Sequence, residues 1–195
     1  MLKIGITGGI GSGKTTVAKV FQTFGIPVYM ADVEAKRLMH DNELLKNAIK
    51  SVFGDSIYKD GKLDKKELAA LIFNNEEALA KINSVVHPAV QQAFAKWCSN
   101  QSAKYVLKEA AILFESGADK DLDLVICISA PDDLRVHRAR TRDGITEEQV
   151  QERMAKQWGQ SKKVALSDYH IVNDEKQLLL AQIIKVHQAI LDQAG

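Results

Sequence analysis

The feature that most constrains this chain is a glycine-rich run near its N-terminus, GGIGSGKT at residues 8–15. It matches the pattern G-x-x-x-x-G-K-[ST] in full, and it lies between a strand-like segment, residues 2–7, and a helix-like segment, residues 14–24. Glycines let consecutive backbone N–H groups curve around an anion, and the positive end of the following helix adds to the attraction. The run therefore predicts a phosphate-binding loop rather than an ordinary turn.

Two polar residues of this loop have separate predicted tasks. Lys14 supplies a mobile positive charge to the β- and γ-phosphates of a nucleotide, and the Thr15 hydroxyl is available to Mg²⁺. The predicted nucleotide-binding residues are those of the loop and the start of its helix: Gly8, Gly9, Gly11, Ser12, Gly13, Lys14, Thr15 and Thr16. The loop alone indicates a nucleotide and does not identify the reaction.

The hydrophobic pattern of the rest of the chain alternates short apolar strands with helices. Four further strands are predicted, at residues 26–30, 104–109, 122–129 and 169–173. Alternation of this kind is typical of parallel sheets with right-handed crossovers. We therefore expect an α/β fold of three layers, a P-loop nucleotide-kinase-like fold whose five-stranded parallel sheet is flanked by helices.

The stretch from residue 33 to residue 103 is mostly helical and too long for a simple crossover, so it predicts a helical insertion. Within it, Pro88 predicts a kink or break in a long helix that Asn75 caps. The core is then assigned to residues 1–32, 104–134 and 167–195, and residues 135–166 to a lid.

Composition excludes several classes of protein. A net charge of +1 over 195 residues argues against a dedicated nucleic-acid binder, and no uncharged apolar run approaches the length of a membrane helix. Cys98 and Cys127 are isolated, so a disulfide framework or a structural zinc site is not expected. These observations favour a reduced, cytoplasmic enzyme or switch.

Two guanine-nucleotide motifs decide between switch and enzyme. The base-recognition motif NKxD is absent, and DxxG occurs only at residues 192–195, far from any predicted strand. The chain therefore lacks both features that distinguish a signalling GTPase. A small kinase is favoured, with the identity of its acceptor still open.

Two carboxylates follow predicted strands, at the edge of a parallel sheet where ligands bind. Asp32 follows the second strand and either accepts the proton of an attacking hydroxyl or caps a helix that begins at Val33. Glu109 ends the third strand and either holds Mg²⁺ through a water molecule or is a surface glutamate. The residues alone leave both alternatives open.

A basic segment extends from residue 135 to residue 163. Arg135, Arg138 and Arg142 are spaced for one face of a helix, and the arginine fork binds phosphate oxygens in pairs. The segment is therefore either a lid that closes on polyphosphate or a solvated surface balanced by neighbouring acids.

Several motifs in fixed order resemble the dephospho-CoA kinase family. They extend from residue 5 to residue 173 and read GITGGIGSGKTT, ADVEAKRL, VVHPAV, EAAILFESG, RMAKQ and IVN. The combination of HPAV with ILFESG is the most specific part. The resemblance implies transfer of the γ-phosphoryl of ATP, with Mg²⁺ as cofactor, to the 3′-hydroxyl of dephospho-CoA, which gives coenzyme A and ADP.

The resemblance also implies roles for individual residues. Asp32 matches the family's base, and Arg138 and Arg142 match its lid arginines, so these three join Lys14 as predicted catalytic residues. The remaining matches concern binding. His87 and Glu115, as well as Asp32, are predicted to bind the acceptor, and Asn173 is predicted to lie near adenine. An alternative for His87 is a structural hydrogen bond at a helix end.

The resemblance further implies that residues 33–103 form a CoA-binding insertion and that ATP and dephospho-CoA are the partners. No nucleic acid or membrane is expected, and the chain is predicted to be a monomer or weak homo-oligomer. Two positions depart from the family pattern: Met30 replaces the first aspartate of D-x-D, and Ala111 replaces a proline before ILFE.

Overall fold

The chain divides into two compact units in the computed structural model, which describes residues 1–73 and 75–195. The first unit comprises Met1–Met30 and Gln101–Gly195, and the second comprises Ala31–Asn100. Elements are numbered below in chain order, so the numbering of the first unit is interrupted by the elements of the second.

The first unit is built on a five-stranded parallel sheet with the order β2-β5-β1-β6-β7. Its strands are β1 (Leu2–Thr7), β2 (Val28–Met30), β5 (Tyr105–Glu109), β6 (Leu124–Ser129) and β7 (Tyr169–Val172). The predicted number of strands and their parallel direction are confirmed. β5 is buried along its whole length, as a strand with neighbours on both sides and helices on its faces must be.

Five helices accompany this sheet: α1 (Lys14–Thr23), α6 (Asp132–Asp143), α7 (Glu147–Ala155), α8 (Gln160–Ala165) and α9 (Leu179–Gln193). α1 and α9 each bury one apolar stripe in the core of the sheet, at the spacing expected for one face of a helix. The stripe of α1 contains Val17 and Phe21, and that of α9 contains Ile183, Val186 and Ile190. This packing fixes α1, and with it the end of the glycine-rich loop, against the sheet.

The register of the strands brings their carboxyl ends to one edge of the sheet. Ile6 of β1 and Met30 of β2 are both paired with Glu109, the last residue of β5. On the other side of β1, Thr7 is paired with Cys127 of β6. Glu109 therefore lies at the end of β5, beside the end of β1, where the glycine-rich loop begins.

The second unit is mainly helical. It contains α2 (Ala31–Asp41), α3 (Glu43–Phe53), a 3₁₀ turn (Asp55–Ile57), the hairpin β3 (Tyr58–Lys59) and β4 (Lys62–Leu63), α4 (Lys65–Ile72) and α5 (Glu76–Cys98). Side-chain oxygens of Asn42, Asp64 and Asn75 accept backbone N–H groups at the starts of α3, α4 and α5.

Of the kink or break predicted at Pro88, the break is wrong, because α5 continues through this proline as one helix of 23 residues. Proline removes one helical hydrogen bond and costs ~3 kcal/mol in a helix interior. α5 buries an apolar stripe on both sides of it, including Val86 and Val90, and we attribute the continuity of the helix to this burial. No helix in the described part of the chain is long and apolar enough to cross a membrane.

Candidate nucleotide-binding site

The glycine-rich loop connects β1 to α1 and is closed by its own backbone. The Ser12 N–H donates to the Gly9 carbonyl at 3.2 Å, and Gly13 immediately precedes α1. The Lys14 side chain is largely buried, and its Nζ donates to the Gly9 carbonyl at 3.2 Å. The ammonium group is thus held over the loop, where a phosphate-binding cation is expected.

Two glycines in the loop are required by both conformation and space. Gly11 has φ +75° and Gly13 has φ +95°, values that disfavour any residue with a Cβ. A Cβ on Gly11 would meet the Arg135 backbone carbonyl, and one on Gly13 would meet the Asn173 side-chain amide. Other segments therefore approach the loop at these positions to distances that only glycine permits.

Arg135 supports the loop from α6. Its side chain is 7% exposed, its Nε donates to the Ile10 carbonyl at 3.0 Å, and its Nη1 pairs with Asp132 at 2.7 Å. Arg135 is the first residue of the basic segment for which the sequence predicts either a lid or a solvated surface. The structure instead gives Arg135 a structural contact with the phosphate-binding loop.

Asn173 supports the loop from the end of β7. Its Nδ2 donates to the Ser12 carbonyl at 2.9 Å. Its own carbonyl accepts from Arg138 Nη1 and Nη2, at 3.1 Å and 3.2 Å. Its role beside adenine stays a prediction, but it connects the loop to one of the two predicted catalytic arginines.

The two predicted catalytic arginines of α6 differ in their surroundings. Arg138 is 23% exposed and pairs with Glu175 at 2.8 Å, in addition to its contact with Asn173. Arg142 is 60% exposed and pairs with Asp143 at 2.7 Å. Asp143 raises the pKa of the Arg142 guanidinium, and the charge of Glu109 acts in the same direction.

Glu109 is 5% exposed, so its interpretation as a surface glutamate is wrong. β5 neighbours β1, the strand that leads into the loop and Thr15. Thr15 is the second residue of α1 and is exposed. A hydroxyl and a single buried carboxylate suit Mg²⁺, which takes few protein oxygens and completes its shell with water and substrate phosphates. In the described residues no group of three His, Cys, Asp or Glu side chains is arranged to hold a metal.

Glu115 belongs to a buried ionic cluster in the first unit. Its Oε1 pairs with Lys163 Nζ at 2.6 Å and accepts the Trp158 N–H at 2.9 Å. Lys163 is fully buried and also donates to the Ala111 carbonyl at 2.7 Å. The second carboxylate oxygen of Glu115, Oε2, is buried without a hydrogen bond to any described residue. One oxygen of Glu115 is therefore structural, and the other has unused hydrogen-bonding capacity.

Asp32 and His87, the other two residues predicted to bind the acceptor, lie in the second unit. α2 begins at Ala31, so Asp32 is an exposed residue of its first turn and does not cap a helix that begins at Val33. Asp32 follows the last residue of β2 by two positions. His87 is half-buried in the middle of α5, which removes the helix-end alternative.

Comparison with known families and structures identifies the chain. The family model for dephospho-CoA kinase matches residues 2–178. The chain belongs to the dephospho-CoA kinase family. Members of this family are ATP-dependent kinases that catalyse the final step of coenzyme A biosynthesis. The resemblance inferred from the ordered motifs is confirmed.

Curated relatives agree with this assignment. The dephospho-CoA kinase of Chlorobaculum tepidum is 41% identical over 199 aligned residues, which cover 97% of this chain and 95% of that protein. The dephospho-CoA kinase of Porphyromonas gingivalis is 37% identical over 191 aligned residues, with the same coverage of both chains.

Solved structures show the same fold. A Thermus thermophilus protein, TT1252, superposes with a TM-score of 0.85 at 32% identity, covering 98% of this chain and 97% of its own. The dephospho-CoA kinase of Campylobacter jejuni superposes with a TM-score of 0.67 at 27% identity, covering 96% of each chain. The kinase-like fold predicted from the sequence is confirmed.

Three residues of the site were not assigned their structural roles from the sequence. Arg135 and Lys163 were counted only as members of a basic segment, and no sequence signal indicates that both are buried. Gln157 stands in the motif RMAKQ, and its side-chain oxygen accepts the Ile10 N–H at 2.9 Å. The motif makes Gln157 part of the family resemblance, but it does not show which group Gln157 contacts.

Proposed function

We propose that this chain transfers the γ-phosphoryl group of ATP to the 3′-hydroxyl of dephospho-CoA, giving coenzyme A and ADP. The observation that carries the proposal is the family match over residues 2–178, which includes the complete phosphate-binding loop. In this reaction a bond forms between the 3′-oxygen and the γ-phosphorus while the bond from that phosphorus to the β,γ-bridging oxygen breaks. The hydroxyl proton leaves, and ADP carries away the electron pair.

The loop and Lys14 bind and orient the triphosphate in this proposal. The transition state of phosphoryl transfer is loose and spreads negative charge over the transferred group. Backbone amides fixed in direction and a cation held over the loop stabilise that charge without reorganising during the reaction. The buried position of Lys14 strengthens its effect, because a charge shielded from water is less screened.

Thr15 and Glu109 would hold Mg²⁺, which supplies positive charge to the phosphate oxygens when bound. Arg138 and Arg142 add a second source of positive charge from α6. Arg138 is anchored by Asn173 and Glu175, whereas the more exposed Arg142 is held by a surface ion pair with Asp143. We assign both to charge neutralisation around the transferred group.

Asp32 is assigned to orient the 3′-hydroxyl and to receive its proton. The support is its match to the family motif and its place in the chain, two residues after the end of β2. Since Met30 replaces the first aspartate of the family pattern, Asp32 has no carboxylate at that position to share the task. Glu115 Oε2 and His87 are assigned to binding of the acceptor. A cytoplasmic location and a monomeric or weakly associating state stay predictions.

The test is an acceptor panel with ATP and GTP as donors and dephospho-CoA, nucleosides, shikimate and gluconate as acceptors. We expect ATP-dependent phosphorylation of dephospho-CoA at its 3′-hydroxyl. Preference for another acceptor would mean that the chain is a kinase with a different substrate. Nucleotide binding without transfer to any acceptor would contradict the proposal.

The role of Asp32 is tested by Asp32→Asn. We expect kcat to fall by about 100-fold or more, the range for general acid–base groups, with little change in ATP affinity. Asp41→Asn, an exposed aspartate at the other end of α2, is the control. Equal kcat values for the two variants would remove Asp32 from the chemistry.

A further inference from the structure

The Ile10 peptide groups at the tip of the phosphate-binding loop are both held by side chains from distant segments. The Ile10 N–H donates to Gln157 Oε1 at 2.9 Å, and the Ile10 carbonyl accepts from Arg135 Nε at 3.0 Å. A phosphate-binding loop acts through backbone N–H groups that point inward. The Ile10 N–H is instead engaged with a side chain, which fixes the direction of this part of the loop.

Gln157 is itself held in place by its neighbours in the chain. Its backbone N–H donates to the Met154 carbonyl at 3.0 Å, at the end of α7. The N–H of the next residue, Trp158, donates to Glu115 Oε1 at 2.9 Å. Glu115 is in turn fixed by the fully buried Lys163 at 2.6 Å. The side-chain amide that reaches Ile10 therefore extends from a backbone anchored on both sides.

We infer that Gln157 is a positioning residue for nucleotide binding, which acts through the Ile10 N–H rather than by touching the nucleotide. This inference rests on the nucleotide-binding half of the proposed function and is independent of the identity of the acceptor. By occupying one loop amide, Gln157 restricts the loop to the orientation in which the remaining amides are available to phosphate.

The expected effect follows from the loss of one hydrogen bond. Without an acceptor at position 157 the Ile10 peptide gains alternative orientations, and the nucleotide must select the competent one. A hydrogen bond of ordinary strength corresponds to roughly a fivefold change in an equilibrium constant. We therefore expect Gln157→Met, which keeps the length of the side chain but removes the acceptor, to weaken ADP and ATP binding by about fivefold.

The experiment measures the dissociation constants of ADP, ATP and dephospho-CoA by calorimetry, together with the thermal midpoint, for wild type and variants. Gln151→Met is the matched control, because Gln151 is an exposed glutamine of α7, six residues earlier. For Gln157→Met we expect weaker binding of both nucleotides, unchanged affinity for dephospho-CoA and a small change in thermal midpoint. A merely structural role would instead lower the thermal midpoint and weaken both kinds of ligand.

A second variant, Gln157→Glu, separates the hydrogen bond from side-chain packing. The carboxylate still accepts the Ile10 N–H but places a negative charge beside the loop, so nucleotide affinity should fall at low salt and recover as ionic strength rises. If Gln157→Met fails to fold, this salt dependence decides the question.

Three results would overturn the inference. Gln157→Met could bind nucleotides as tightly as wild type, or it could lose dephospho-CoA binding in parallel. Gln157→Glu could bind nucleotides with wild-type affinity at every salt concentration. Wild-type protein that binds ADP but does not phosphorylate dephospho-CoA would contradict the proposed acceptor and leave the nucleotide-binding and thermal measurements of this test intact.

Discussion

Replacing Lys163 by methionine removes the cation from a fully buried ion pair while keeping most of the side-chain volume. The wild-type ammonium lies 2.6 Å from Glu115 Oε1 and 2.7 Å from the Ala111 carbonyl. In Lys163→Met the Glu115 carboxylate loses this partner, and its Oε2 already lacks one among the described residues. The Ala111 carbonyl retains a contact with the Thr7 hydroxyl, at 3.4 Å.

The size of the effect is set by the carboxylate left behind. Removing one partner of a buried ion pair costs about 3–5 kcal/mol, because the other charge remains out of water without compensation. In a protein of this size 1 kcal/mol changes the thermal midpoint by about 2–4 °C. We therefore expect Lys163→Met to lower the midpoint by roughly 10 °C.

Thermal unfolding followed by circular dichroism tests this expectation, with Lys162→Met as the matched control. Lys162 is the preceding residue of α8, is exposed, and places its Nζ 3.2 Å from the centre of the Trp158 ring. An exposed cation–π contact contributes about 0.5–1 kcal/mol, so the control should lose much less stability. The double variant Glu115→Gln/Lys163→Met should recover part of the loss, since it removes both charges. Equal midpoints for the two lysine variants, or no recovery in the double variant, would refute the reasoning.

Three further predictions concern the loop, α6 and a buried thiol. Gly13→Ala should weaken ADP binding at least tenfold in calorimetry, whereas Gly25→Ala, also at positive φ but in open space, should leave it unchanged. Arg138→Ala should lower kcat/KM by about 100-fold in a phosphoryl-transfer assay, and Glu175→Gln should change it less than tenfold. Burial raises the pKa of Cys127 from 9.0 to about 11, so its contribution to stability is full below pH 9 and is lost as pH rises toward 11. Urea unfolding across this range should therefore show a shallower decline for Cys127→Ala than for wild type.

The elements that the sequence predicted are those determined by local patterns. The glycine-rich run predicted the loop because its curvature depends on residues adjacent in the chain, and the apolar segments predicted all five strands of the sheet. The helix-like segment at residues 14–24 predicted α1, one face of which packs in the core. Periodicity and composition within a short window are sufficient for such elements.

Features that depend on distant contacts could not be predicted in the same way. A lysine in a basic segment is normally exposed, and only the fold places Lys163 beside Glu115, 48 positions earlier in the sequence. The same applies to Arg135, whose carbonyl and guanidinium both lie against the loop. The continuity of α5 through Pro88 likewise depends on the buried stripe around it, which the local rule for proline does not include.

The phosphate-binding loop combines both kinds of determinant. Its glycines permit the curvature, but the three side chains that hold Ile10 and Ser12 come from Arg135, Gln157 and Asn173, 125 to 161 positions later in the sequence. The orientation of the loop amides is therefore a property of the assembled first unit rather than of the motif. Because a ligand that binds only the folded state stabilises that state, a nucleotide on this loop also stabilises the distant segments that hold it.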